Sequence, residues 1–336
     1  MRPVGGEQDV AGLYRDWALG ECDDSPTYRE WALGVADDPQ VRDLVGSLPA
    51  AKRQPNLVLA AARWHGAEPG PYAGLRRVLT QAWHEVRATV LARATQTNEV
   101  GRCATLLPVL AGLPGPLALL EIGCSAGLCL FADRYGYRYT TGNGEVTVEP
   151  DEGPSPVRLA CAVEGAAPLP AALPDVVWRG GLDLDPLDVH DHDAMAWLET
   201  LVWPEHDDRR ARLAAAVELV RERPPARLVR GDLRTDLPAL AAEAPPEATL
   251  VVFHSAVLAY LGDGDRVRVA ESMAAVPGHW LSNEGPRVVP GAAATAGDPP
   301  GLRSVVGRAP FVLALDGRAV AWTHGHGRGL AWLGGL

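Results

Sequence analysis

Positive charge is in short supply in this 336-residue chain: 31 Lys and Arg against 42 Asp and Glu leave a formal charge of −11. That balance argues against a nucleic-acid phosphate backbone or an anionic membrane surface as the main partner. Cysteine is scarce too. Cys22, Cys103, Cys124, Cys129 and Cys161 form an odd set without a C-x-x-C pair, and no histidine near them completes zinc-ligand spacing. Reduced, buried thiols are expected, with no disulfide framework and no metal site. No apolar run is long enough to span a bilayer, and Met1-Arg2-Pro3 leads into glycine and acids rather than a signal-peptide core. The expected location is the cytoplasm, with no membrane partner. Oligomeric state leaves no trace in the sequence.

What is present belongs to an ordinary globular protein: 47% hydrophobic and 22% charged residues. The length suffices for a full α/β core with a second, smaller domain. Near the start, YRDWALGECDD (14–24) recurs as YREWALGVADD (28–38), identical at 8 of 11 positions with a period of 14. Each copy sets Tyr and Trp three apart, on one face of a short helix. Ser25-Pro26 and Asp37-Asp38-Pro39 supply caps with proline in the first turn. A period this short does not build a solenoid; two tandem amphipathic helices with core aromatics are expected.

The pattern stays helical to about residue 112, with helices expected over Asn56–Trp64, Tyr72–Leu79, Ala82–Leu91 and Ala104–Leu110. Thr97 or Asn98 is a candidate cap for the last of them. The polar run QTNEVGRC (96–103) leads straight towards the first strand, a placement suited to the mouth of a ligand site. An N-terminal all-helical domain, residues 1–112, is expected to act as a lid or substrate domain. Residues 113–336 then alternate strand and helix, which predicts a mostly parallel sheet. Strands are expected at Leu117–Ile122, Val176–Leu184, Arg227–Arg230, Leu250–His254 and Trp280–Glu284, with helices at about 126–135, 191–202 and 207–222. Asp316-Gly317 signals a closing hairpin between Phe311–Leu315 and Ala319–Thr323. Within 136–175, short β-prone runs predict an inserted hairpin or small antiparallel sheet.

The chemistry concentrates in LLEIGCSAGL (119–128), an apolar strand that ends in an acid and turns through glycines into a helical pattern. Such a turn offers free backbone N–H groups to a ligand. Asp183 and Asp232 then close the next two strands. Glu121 with Gly123 and Gly127 resembles the cofactor loop of Rossmann-like S-adenosylmethionine-dependent methyltransferases, although Ser125 stands where that family has a middle glycine. A nicotinamide or flavin site would need G-x-G-x-x-G, and Ser125 and Leu128 occupy its second and third glycine positions. The resemblance spans about 117–336 and implies a Rossmann-like sheet with an antiparallel strand near its end. It also implies cofactor contacts at Glu121, Gly123, Ser125, Gly127, Asp183 and Asp232, with S-adenosyl-L-methionine as cofactor. Arg102 is a further candidate for a carboxylate, or pairs with Glu99 on its own helix.

The acceptor leaves fewer marks. His254 follows the fourth strand and is either a general base or a hydrogen-bond partner of the next helix. Glu205, after Trp203-Pro204, is either a second catalytic candidate that reads an amine or a cation, or a cap of the helix at 207–222. Asn98, Glu99, Trp203, Asn283 and Glu284 are candidate substrate contacts. The Asn/Asp-Pro-Pro-aromatic signature of many base and amide N-methyltransferases is missing, as is a basic patch. A small-molecule methyltransferase is therefore the leading expectation. Release of methylthioadenosine through aminocarboxypropyl transfer or cyclisation, or non-catalytic binding, stands as the alternative. Over nearly its whole length the chain also resembles an uncharacterised domain family widespread in high-G+C bacteria, through QTNEVGRC, EIGCSAGL, GLDLDPLDV (181–189), LVWPE (201–205), FHSAVLAYL (253–261) and WLSNEGP (280–286). That family implies a methyltransferase-like core without a reaction or substrate.

Overall fold

Leu117–Ile122 (β1) is buried at every position, as an apolar run flanked on both sides by parallel neighbours requires. The computed structural model that places it describes residues 9–96, 98–289, 291–301 and 303–334. Further strands are β2 (Gly136–Thr141), β3 (Gly144–Val148), β4 (Arg158–Glu164), β5 (Val176–Asp183), β6 (Arg227–Arg230), β7 (Thr249–Ser255), β8 (His279–Glu284), β9 (Phe311–Leu315), β10 (Arg318–Thr323) and β11 (Gly329–Trp332). They form one sheet in the order β3-β2-β4-β11-β10-β9-β8-β7-β1-β5-β6. From β6 to β8 every pairing is parallel; β9 returns antiparallel beside β8.

The closing hairpin forms where Asp316-Gly317 sits. Both residues take positive φ, 51° and 79°, the backbone a two-residue turn between twisted strands needs. The 136–175 segment differs from expectation. β2 and β3 do form a hairpin, but β4 pairs parallel with both β2 and β11, so the insertion extends the main sheet instead of standing apart. Edge groups of β11 and β4 satisfy each other across a sequence gap that no local pattern encodes.

The chain divides into two compact units: the described residues of 2–97 with 191–211, and those of 98–190 with 212–336. The helical unit holds α1 (Val10–Gly20), α2 (Pro26–Asp37), α3 (Pro39–Gly46), α4 (Pro55–Trp64), α5 (Tyr72–Gln81) and α6 (Trp83–Ala92). Its limit falls at 97/98 rather than at 112, because α7 (Cys103–Leu110) is wholly buried within the sheet unit. It also gains α8 (His192–Leu201). Trp197 Nε1 donates to the Ala94 carbonyl, Arg93 pairs with Asp193, and Arg63 donates to the Thr200 and Val202 carbonyls. The repeated sequence forms α1 and α2, and its tyrosines, Tyr14 and Tyr28, are fully buried core residues. Asp9, Ser25 and Asp38 cap the first three helices.

In the sheet unit the 126–135 segment is not an α-helix. It is a 3-10 helix over Leu128–Arg134 with a kink at Phe131, entered through Gly127 in the left-handed region. Tyr135 and Tyr137 bend back to donate to the Leu128 and Ala132 carbonyls, oxygens that a continuing helix would otherwise use. Among the described residues, no helix is long and apolar enough to cross a membrane. All five cysteines are buried free thiols.

Candidate functional site

Strand order reverses at β1: the chain proceeds to β5 and β6 on one side, then to β7 and β8 on the other. In such sheets the carboxyl ends of the strands flanking the reversal form a crevice. Glu121 stands at that end of β1. It is 6% exposed, and its Oε2 has no hydrogen-bond partner. Burial, helped by Cys129 and Asp183, raises its pKa well above the ordinary carboxylate range, and only Arg102 opposes this.

The glycine loop is held from three directions. Gly123 takes φ 68°, and a Cβ there would lie 2.5 Å from Val257 Cγ2, so only glycine fits. Ser125 takes φ 50°, donates its N–H to Asp183 Oδ2 at 2.8 Å, and buries an Oγ without a partner. Gly127 takes φ 69°. Asn98 donates from Nδ2 to the Cys124 carbonyl at 2.9 Å and accepts from the Leu128 N–H at 3.0 Å. Gly123 N–H and Gly127 N–H bond the carbonyls of Leu182 and Cys124. Of the N–H groups from Gly123 to Leu128, those of Gly123, Ser125, Gly127 and Leu128 are thus engaged by Leu182, Asp183, Cys124 and Asn98. Asn98 is the loop's clamp rather than a helix cap; Thr97 lies outside the described residues.

Asp183 also accepts from Asp185 N–H through Oδ1, which leaves one lone pair on each carboxylate oxygen. Asp232, at the end of β6, is engaged by Arg234, whose hydrogen bonds draw its carboxyl down to about 2. Arg102 is buried at 7% exposure. It donates to the carbonyls of Gly325 (2.9 Å) and Ser255 (3.0 Å), and among the described residues it forms no ion pair. It does not pair with Glu99. That carboxylate instead accepts from the Gly101 N–H and stands 3.5 Å from Arg212.

His254 reaches the site's edge, but both ring nitrogens are taken. Nε2 accepts from Trp280 Nε1 at 2.9 Å, which places the proton on Nδ1, donated to Glu284 Oε1 at 2.8 Å. The fully buried ring has no nitrogen to offer a substrate, so its role as general base is withdrawn, and its partners lie on β8 rather than on the helix that follows it. Glu284 Oε1 further accepts the N–H groups of Val257 and Leu258, fixing the segment that abuts Gly123. Asn283 ties β8 to its neighbour β7 through Ser255 Oγ and, beyond β9, to β10 through Thr323 Oγ1. The Asn283 amide is thus engaged at both ends, whereas Glu284 Oε2 is buried without a hydrogen-bond partner.

Glu205 and Trp203 belong to the helical unit. Glu205 accepts from Ser25 Oγ (2.5 Å) and Thr27 N–H (2.8 Å), so it caps α2 and not the helix at 207–222. Trp203 packs with Trp17, Tyr28 and His206 and donates to Asn56 Oδ1. Both serve that unit's packing. Two hollows of the sheet unit lie away from the loop: about 240 Å³ beside Met273, Trp280 and Asp316, and about 460 Å³ beside Glu164, Arg303 and Ser304.

Sequence reasoning misses Val257, for which no local signal exists, and Tyr135. The latter has one: Tyr135, Tyr137 and Tyr139 alternate with period 2, and buried tyrosines require hydroxyl partners. Among the described residues, no group of three or more His, Cys, Asp and Glu is placed to hold a metal.

Residues 63–332 match the bacterial family described as "Uncharacterized protein conserved in bacteria" (DUF2332), and the chain belongs to it. None of the curated proteins matches the chain.

Proposed function

We propose that this family member is an S-adenosylmethionine-dependent methyltransferase acting on a small molecule. One observation carries the reading: the strand order reverses at β1, and at that carboxyl end stands a buried carboxyl oxygen of Glu121 without a partner. A buried polar atom left unpaired costs about 1–3 kcal/mol, a cost that an incoming donor removes. The ammonium group of the cofactor fits Glu121, and the free lone pairs of Asp183 fit ribose hydroxyls.

When bound, S-adenosylmethionine supplies a methyl group on a positively charged sulfur. The chain's own contribution is positioning. Asn98, Asp183 and the Glu284–Val257 contact hold the loop at the β1 terminus in one conformation. With His254 committed internally, no side chain of this set removes a proton. That suits an acceptor already nucleophilic at neutral pH. The same commitment favours a second reading, binding of the nucleoside without turnover.

The test is calorimetric titration with S-adenosylmethionine, adenosylhomocysteine, methylthioadenosine and NAD, on the native protein and on Asp183→Asn. Binding at about micromolar Kd by the sulfonium compound and adenosylhomocysteine, weakened in the variant, is expected. Failure of a folded sample to bind either overturns the reading. Formation of adenosylhomocysteine in the presence of candidate acceptors separates turnover from binding alone.

A further inference from the structure

The resemblance to methyltransferases implies a cofactor contact at Asp232, yet the chain fills that carboxylate itself. Arg234, two residues on, donates to Asp232 Oδ1 from its backbone N–H and from Nε, both at 2.9 Å, and to Oδ2 from Nη2 at 2.5 Å. Asp236 Oδ2 accepts the Asp232 N–H at 2.7 Å, so the turn after β6 closes upon itself. The same guanidinium also reaches out of that turn: its Nη1 donates to Asp265 Oδ2 at 3.3 Å. Asp265 stands in the first turn of the helix Asp263–Ala275, which follows β7, and its Oδ1 accepts from Arg268.

β6 and β7 are not neighbours. β1 and β5 lie between them in the sheet, and those two strands end at Glu121-Ile122 and at Asp183. Arg234 therefore ties together segments from the two sides of the strand-order reversal, beside the crevice. The segments have a common base: Leu237 and Leu240, after Arg234, and Val269 and Met273, after Asp265, belong to one buried cluster. The tie above that base is soft, because the side chains of Arg234, Asp232 and Asp265 are 48%, 30% and 23% exposed. An ion pair in such contact with water contributes little to stability and exchanges partners readily.

We propose that Arg234 gates the nucleobase end of the crevice: it occupies Asp232 in a closed arrangement and moves onto Asp265 alone when the exocyclic amine of an adenine takes Asp232. The inference rests on the cofactor reading above and adds a residue that governs access to the site. Asp265, already within reach of Nη1, receives the displaced guanidinium. Ligand affinity is then the intrinsic affinity scaled by the fraction of open molecules. Salt screens an exposed tie of this kind, so it shifts the balance towards the open arrangement.

Titration calorimetry of the whole chain with methylthioadenosine, which carries the base but no amino acid end, tests this. Arg234→Ala and Arg234→Gln are both expected to bind it about three- to tenfold more tightly than the native protein. Raising sodium chloride from about 0.05 M to about 0.5 M is expected to tighten native binding and to leave both variants unchanged. Asp265→Asn is expected to weaken native binding by a few-fold and to have no effect in the Arg234→Ala background, where there is no guanidinium to receive. Unchanged or weaker binding by the Arg234 variants at native melting temperature, or an Asp265→Asn effect equal in both backgrounds, overturns the gate and leaves the cofactor reading standing. Absence of binding by methylthioadenosine, S-adenosylmethionine and adenosylhomocysteine, in native protein and variants alike, overturns both.

Discussion

His254 Nδ1 lies 2.8 Å from Glu284 Oε1, with both side chains buried to 1% exposure or less. The pair joins the ends of two neighbouring parallel strands, since His254 is the penultimate residue of β7 and Glu284 closes β8. Trp280 completes it from the other side of the ring. The same Glu284 oxygen holds the Val257 and Leu258 N–H groups, so this contact and the shape of the glycine loop are mechanically linked.

Replacing His254 therefore acts on stability first. His254→Ala opens a cavity and strips a partner from Trp280 Nε1 and from Glu284, which together are expected to cost about 2–4 kcal/mol. Denaturant unfolding measures the loss. Where the variant remains folded, S-adenosylmethionine affinity stays within a few-fold of native. A variant of native stability whose turnover alone collapses would restore the histidine as a base.

Asn98 clamps the loop with both ends of its amide, so its two functions are separable. Asn98→Asp keeps the acceptor for the Leu128 N–H but sets a carboxylate oxygen against the Cys124 carbonyl. Asn98→Leu loses both bonds and strands a buried carbonyl and a buried N–H. A stability loss of about 1–3 kcal/mol is expected for either variant. Cofactor affinity is expected to fall about tenfold or more in each, read by calorimetry.

Local signals carry most of the strands. β1 is bounded as the apolar run 117–122, because a buried strand between turn residues has few other ways to satisfy its backbone, and β6, a half-buried edge strand, as Arg227–Arg230 between turn residues. The Asp316-Gly317 turn is equally local. What escapes the sequence is non-local. The pairing of Gly329 with Ala162, which fuses the insertion to the sheet, depends on two edges far apart in the chain. The stretch from Ala126 looks helical by composition, yet Asn98 and Tyr135, from segments on either side, claim the Leu128 N–H and carbonyl and tighten it into a 3-10 helix. Site residues divide the same way. The strand-end positions of Glu121 and Asp183 follow from pattern, whereas the engagement of His254 by Trp280 and Glu284 follows from strand register.

Gly123 offers a test with an internal control. Gly123→Ala places a side chain at φ 68° and drives its Cβ to 2.5 Å from Val257 Cγ2. Strain and overlap together are expected to cost about 2–4 kcal/mol. Val257→Ala removes the overlapping methyl groups but leaves the backbone strain. The double variant is therefore expected to recover about half of the Gly123→Ala loss, as a non-additive term in a double-mutant cycle. Strict additivity of the two losses would mean that Val257 does not set the requirement for glycine.

Glu205 predicts an acid-sensitive helical unit. Burial raises its pKa, but the hydrogen bonds from Ser25 and Thr27 outweigh burial and bring it below the ordinary carboxylate value. A carboxyl ionised more readily when folded than when unfolded contributes stability above the unfolded value. That contribution is lost as pH falls through the folded value, because protonation then favours unfolding. Glu205 is exposed, so solvent screening limits the effect, and about 1 kcal/mol is the scale of a capping contact of this kind. Glu205→Gln keeps one acceptor for the Thr27 N–H while removing the charge. It is expected to lower the melting temperature at neutral pH and to flatten the decline of stability between neutral and acid pH. Thermal melts followed across that range decide the matter. A native-like acid limb in Glu205→Gln would show that other carboxylates govern it. A loss of S-adenosylmethionine binding by this variant at full stability would instead return Glu205 to the chemistry.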